Sequence, residues 1–188
     1  AMTVSECIKQ RRAVYPNQFH EGNISDEDIK DILKNANLAP SHKLTQPWFF
    51  KVFQNEYREE LAQSMVTHYK VFSDSKNIDL KTKKISDKCK KSSCIIAIFM
   101  NRDLKESIPE WEEVAATAMA VQNMWLTCVE KNIGCYWSTP SFISKMGEYF
   151  KLENNQRCLG FFYLGPFIHS NKNMSIRQEV LDKTQWFK

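Results

Sequence analysis

Glycine is scarce in this chain, with five in 188 residues. Neither the G-x-G-x-x-G nor the G-x-x-x-x-G-K-[ST] pattern occurs, so the two common Gly-rich phosphate cradles are excluded. A phosphate-bearing ligand would have to be held by side chains. There is no G-x-S-x-G elbow, which excludes that route to a serine nucleophile. Six cysteines are present, but no two have C-x-x-C spacing and none sits near a histidine in a zinc pattern. Reduced thiols in a cytoplasmic protein are the expectation, with Cys128, Cys135 and Cys158 acting as small apolar residues. The longest apolar run, residues 94–100, is far short of the roughly 20 residues a membrane helix needs. The first residues are polar and charged, so no signal peptide is expected. Repeats and low-complexity linkers are also missing.

Charge of one sign is not dominant. The net charge is +4, and 26% of residues are charged. A run of lysines (Lys81, Lys83, Lys84, Lys88, Lys90, Lys91) contains no arginine or aromatic residue. It therefore reads as a solvated surface element rather than a nucleic-acid patch. The 43% hydrophobic content is enough for a substantial core.

Val4 to Arg12 reads as a short helix ending in a basic pair. Ser25 caps a second helix, whose apolar residues Ile29, Ile32, Leu33 and Ala36 recur at helical spacing and which Pro40 stops. Trp48–Phe53 reads as a strand, 56–71 as a polar helix, and Cys94–Met100 as a strand buried on both faces. Pro109 suits the first position of a long helix reaching about Lys131, with Ala115, Ala116, Ala118 and Ala120 on its first half and Gly134 ending it. Cys135–Ser138 reads as a strand, Ser141–Phe150 as a helix and Cys158–Leu164 as a strand. Residues 167–188 form an arm whose aromatic end, Trp186-Phe187, is expected to dock on something. Two helices before the first strand, then irregular alternation, indicate α+β.

Three segments carry candidate chemistry. Arg11-Arg12 offers two forked guanidinium donors that match phosphate, though in isolation a solvated pair is the better reading. Ala39-Pro40-Ser41-His42-Lys43-Leu44-Thr45-Gln46-Pro47-Trp48 is a proline-stiffened loop suited to a polar heteroaromatic ring; a capped turn facing water is the alternative. Trp137-Ser138-Thr139-Pro140 presents two hydroxyls beside an indole at a strand end, where Trp137 could equally be core.

In this order, followed by G-F-x-Y-L-G-x-P, these segments resemble the nitroreductase-like flavoenzymes, in particular small members with an A-P-x-H-K-x-x-Q-P-W loop. The resemblance runs from Cys7 to Pro166. It implies one domain over residues 1–188, an α+β sandwich with a central mixed, mostly antiparallel sheet flanked by helices, and an intertwined homodimer with FMN at its interface. It places the FMN phosphate on Arg11, Arg12 and the position of Ala13, with Arg177 as a late addition. Pro40, Ser41, His42, Lys43 and Gln46 fall on one side of the flavin, and Trp137, Ser138 and Thr139 on the other. The family usually has Ser where Ala13 stands; one absent hydrogen bond costs about 0.5–1.5 kcal/mol. NADH or NADPH would reduce the flavin in a ping-pong cycle, and nitroaromatics, quinones or related electron-poor small molecules would reoxidise it. Lys43 and His42 would face the ring edge that gains negative charge. No nucleic acid, membrane or metal enters this reading. Another reaction on the same scaffold, or a flavin-binding or interaction protein without turnover, is the alternative.

Overall fold

The computed structural model describes residues 1–74, 76–172 and 174–188. Among the described residues, five α-helices surround one four-stranded sheet: α1 Val4–Gln10, α2 Asp26–Ala36, β1 Trp48–Phe53, α3 Glu56–Phe72, α4 Ile78–Lys91, β2 Cys94–Asn101, α5 Glu110–Glu130, β3 Ile133–Ser138 and β4 Gln156–Pro166. The strand order is β1-β2-β4-β3, with every pairing antiparallel. Among the described residues no helix is long and apolar enough to cross a membrane.

The side-chain alternation of the strands assigns the two faces. Ile96, Ile98, Phe162 and Leu164 point to a cluster covered by α2 and α5. Ile95, Ala97, Phe99, Phe161 and Tyr163 point to a second cluster, packed by α3 and by Phe142, Met146 and Phe150. Because both faces are covered, β2 is buried at every position from Cys94 to Met100, which is why its sequence is apolar without a gap. All six cysteines are free, and five are buried.

Several boundaries differ from the sequence expectation. α1 stops at Gln10, and Arg11 is its extended C-terminal cap rather than a helical residue. The lysine run is a solvated surface element as expected: it lies on α4, with all its lysines but the half-buried Lys88 exposed. Pro109 is the N-cap of α5, one position before the expected one. Gly134 does not end α5. It lies inside β3 opposite Gly165, and Asn132, with φ 54°, makes the left-handed exit that glycine usually supplies. Ser141–Phe150 is not a helix; only Ile143–Lys145 forms a 3-10 turn. Phe142, Met146 and Phe150 have helical spacing and are buried, but Gly147 falls inside the run, and glycine costs about 1 kcal/mol of helix propensity. The chain buries the same three side chains through successive turns instead.

Candidate functional site

The segment after α1 is fixed to the sheet edge. The Val14 amide donates to the Cys135 carbonyl at 3.0 Å, so Arg11, Arg12 and Ala13 lie beside β3. Trp125 of α5 holds this segment twice. Its indole N–H donates to the Arg12 carbonyl at 3.1 Å, and its ring lies 5.0 Å from the Arg11 guanidinium carbon, a cation–π contact that leaves the guanidinium edge free to donate. Burial, and then the like charge of nearby Arg177, lower the Arg11 pKa below the ordinary arginine value. Arg12 lies close enough to His169 to disfavour its protonated form, after burial as the larger cause. No ion pair among the described residues involves Arg11, Arg12 or Arg177. Arg11 and Arg12 are half-buried and Arg177 is exposed, and guanidinium groups with no carboxylate paired to them have the chemistry to hold a multiply charged anion such as phosphate. Ala13 packs instead against the second apolar cluster.

Trp137 is positioned by a bulge. Ile98 pairs with Gly160 and Phe99 with Cys158, so Leu159 is the extra residue on β4. The Trp137 indole N–H donates to the carbonyl of that residue at 2.9 Å. Gly160 has φ +136°, and a Cβ there would lie 2.4 Å from Trp137 Nε1 and 2.6 Å from the Ser138 carbonyl. Glycine is therefore required both by its own backbone and by the close approach of the β3 end. Ser138, paired with Phe161, is the last residue of β3, and Thr139 is exposed beyond it.

The loop before β1 forms a separate group. Lys43, Leu44 and Gln46 have φ of 53°, 53° and 43°, a left-handed conformation costly for residues with a Cβ. It is held by Ser41 Oγ accepting from the Gln46 amide at 3.2 Å, and by Lys43 Nζ donating to the Ser107 carbonyl at 3.3 Å. His42 Nδ1 lies 2.5 Å from Glu112 Oε2 in the first turn of α5. Pro40, Ser41 and His42 line a cavity of about 430 Å³ together with Trp111, Glu112, Ala115, Ala116 and Met119.

The two groups do not meet within one chain. The loop leads into β1 and Trp137 sits on β3, at opposite edges of the sheet, so about 14 Å of strand spacing separates them. Along α5, the contacts of the loop at Glu112 and of Arg12 at Trp125 lie about 20 Å apart. Between them, α5 leaves Trp111, Val114 and Met119 exposed.

Residues 8–166 match the model of the nitroreductase family. The chain belongs to that family. YdjA of Escherichia coli (strain K12), whose name places it provisionally among NAD(P)H nitroreductases, is 27% identical over 182 residues, covering 93% of this chain and 94% of YdjA. A nitroreductase-like family protein from Bacillus cereus shares the fold with a TM-score of 0.86 at 24% identity, covering 100% of this chain and 97% of that one. The FMN-dependent nitroreductase NfnB from Mycobacterium smegmatis, solved in complex with NADPH, has a TM-score of 0.72 at 17% identity, covering 98% of this chain and 97% of NfnB.

Sequence reasoning missed Trp125, Glu112 and Trp111. Trp125 lies on a helix whose spacing explains it as core. Glu112 sits among Glu110 and Glu113, and three acidic residues in a first turn are explained by the helix dipole alone. Their partners differ all the same: Glu110 with Arg157, Glu112 with His42, and Glu113 with Arg102.

Proposed function

We propose that this nitroreductase-family chain is an FMN-dependent oxidoreductase, working as a cytoplasmic homodimer that takes electrons from NADH or NADPH and passes them to nitroaromatic, quinone or related small acceptors. The observation that carries the reading is the pair Arg11 and Arg12, fixed by Trp125, with the like charge of Arg177 near Arg11 and no acidic partner for any of the three among the described residues. It fits the FMN phosphate, and the absence of any Gly-rich cradle leaves side chains to do that work. Trp137, Ser138 and Thr139 then face the ring from the same chain. Bound FMN supplies the hydride chemistry, while the protein orients it and excludes competing reactions.

A second copy completes the site. Pro40, Ser41, His42, Lys43 and Gln46 lie too far from Arg11 and Trp137 in one chain to address the same ring. A two-fold axis across the exposed apolar face of α5 brings each loop to the partner's cationic cluster, giving two equivalent sites. In the C-terminal arm, Ile176, Val180, Leu181, Trp186 and Phe187 are exposed and give the same partner apolar side chains to cover.

Complementation tests the shared site. Arg11→Ala/Arg12→Ala in one chain and His42→Ala/Gln46→Ala in another each impair both sites of a pure dimer. Unfolding and refolding the two together is expected to give mixed dimers with one intact site and recovered FMN binding. A mixture that binds no more FMN than its components would sink the reading of a site built from two chains.

A further inference from the structure

The His42–Glu112 pair has a geometry that cofactor binding does not require. A carboxylate 2.5 Å from Nδ1 fixes the ring: Nδ1 carries the hydrogen and donates it to Glu112, leaving Nε2 as the nitrogen available to a ligand. The strained loop and the Lys43–Ser107 bond hold the ring in place. Other charges near it are already engaged. Lys43 is held by Ser107, Glu113 by Arg102 and by the Asp103 amide, and Glu110 by Arg157. Glu112 is thus the carboxylate that faces His42. The adjoining cavity has an apolar wall of Trp111, Ala115 and Met119 and one polar edge formed by Ser41, His42 and Glu112. At about 430 Å³ it is large enough for a small planar molecule.

We propose that Glu112 is a positioning residue that holds His42 as the proton donor to a planar quinone-type or nitroaromatic acceptor lying against Trp111. This deepens the proposed function and rests on it. Hydride arriving at a quinone leaves a hydroquinone monoanion. The Nε2–H bond of the imidazolium breaks, an O–H bond forms on the anionic oxygen, the imidazole keeps the electron pair, and solvent returns the proton. The same demand arises with a nitro group, where hydride plus one proton gives a nitroso compound and water.

Two measurements separate this inference from the function it rests on. The first needs no activity: long-range proton–nitrogen NMR of the His42 ring, which reports its tautomer, in the wild-type protein and in Glu112→Ala, with the resonance assigned by its loss in His42→Asn among the four histidines. Removing the carboxylate is expected to release the ring's preference for the Nδ1–H tautomer; the same tautomer balance in the two proteins would overturn the dyad. The second follows FMN-loaded protein by stopped flow, with NADPH for reduction and 1,4-benzoquinone for reoxidation. In Glu112→Gln, reoxidation is expected to slow at least tenfold more than reduction. Equal losses in the two halves would overturn the proton-donor role. A wild-type flavin that NADPH and NADH both fail to reduce would instead remove the proposed function, leaving the NMR arm to judge the dyad alone.

Discussion

Gly160→Ala should damage the fold and the proposed flavin site together. Gly160 sits at φ +136°, a region that residues with a Cβ occupy at a cost of about 1–3 kcal/mol. The added methyl would also lie 2.4 Å from Trp137 Nε1 and 2.6 Å from the Ser138 carbonyl. Neither neighbour yields easily, since one is a ring fixed by its bond to Leu159 and the other is backbone. If the indole is displaced, that hydrogen bond is lost for about another 0.5–1.5 kcal/mol. Together this is about 2–4 kcal/mol, which lowers Tm by about 10 °C in a chain of this length. The same movement takes Trp137 and Ser138 away from the ring they are proposed to face. Circular dichroism melting should report the Tm, and fluorescence titration should show FMN affinity falling at least tenfold. A variant that melts within about 2 °C of the wild type and binds FMN equally well would refute the coupling of the bulge to the site.

Arg11→Ala should weaken FMN binding about 10- to 100-fold, the range for a hydrogen bond to a charged group, while leaving riboflavin, which has no phosphate, little affected; equal losses for both would place Arg11 elsewhere. Arg177→Ala should also weaken FMN binding, but non-additively with Arg11→Ala, because the two guanidinium groups repel each other in the free protein; a double-variant cycle reads the coupling. His169 donates from Nε2 to the Ile133 carbonyl at 2.7 Å, and its buried Nδ1 has no partner. Burial lowers its folded pKa below the ordinary 6.5, the Ile133 bond partly opposes this, and Arg12 adds to it. The unfolded chain therefore binds this proton more readily, so His169 lowers stability as pH falls below about 6.5, the loss levelling off below the folded pKa. Melting His169→Gln and wild type from pH 7.5 to 5 should show a smaller loss of Tm in the variant; parallel curves would contradict this origin.

The elements were legible wherever local pattern decides them. The unbroken apolar run of β2, the capped and periodic α2 and the alanine-rich α5 all appear where their residues place them, because both faces of the sheet are covered and α5 packs closely. Pattern failed at residues 141–150, where helical spacing of buried apolar side chains arises without a helix, and at Asn132, which does the work expected of Gly134. The candidate site was legible as a set of segments but not as an arrangement. Nothing local to Arg11 or Gln46 states that β1 and β3 are opposite edges of one sheet; that is a property of strand order. Glu112 was hidden for a related reason, since only its distance to His42 across 70 positions separates it from its acidic neighbours.

The most direct test of the account is the visible spectrum of the FMN-reconstituted protein, recorded anaerobically before and after addition of NADH or NADPH. The account predicts a protein-bound flavin band that bleaches on addition and returns when an acceptor such as 1,4-benzoquinone follows. A protein that takes up no FMN, or whose bound flavin neither nicotinamide bleaches, would contradict it and leave a binding role in its place.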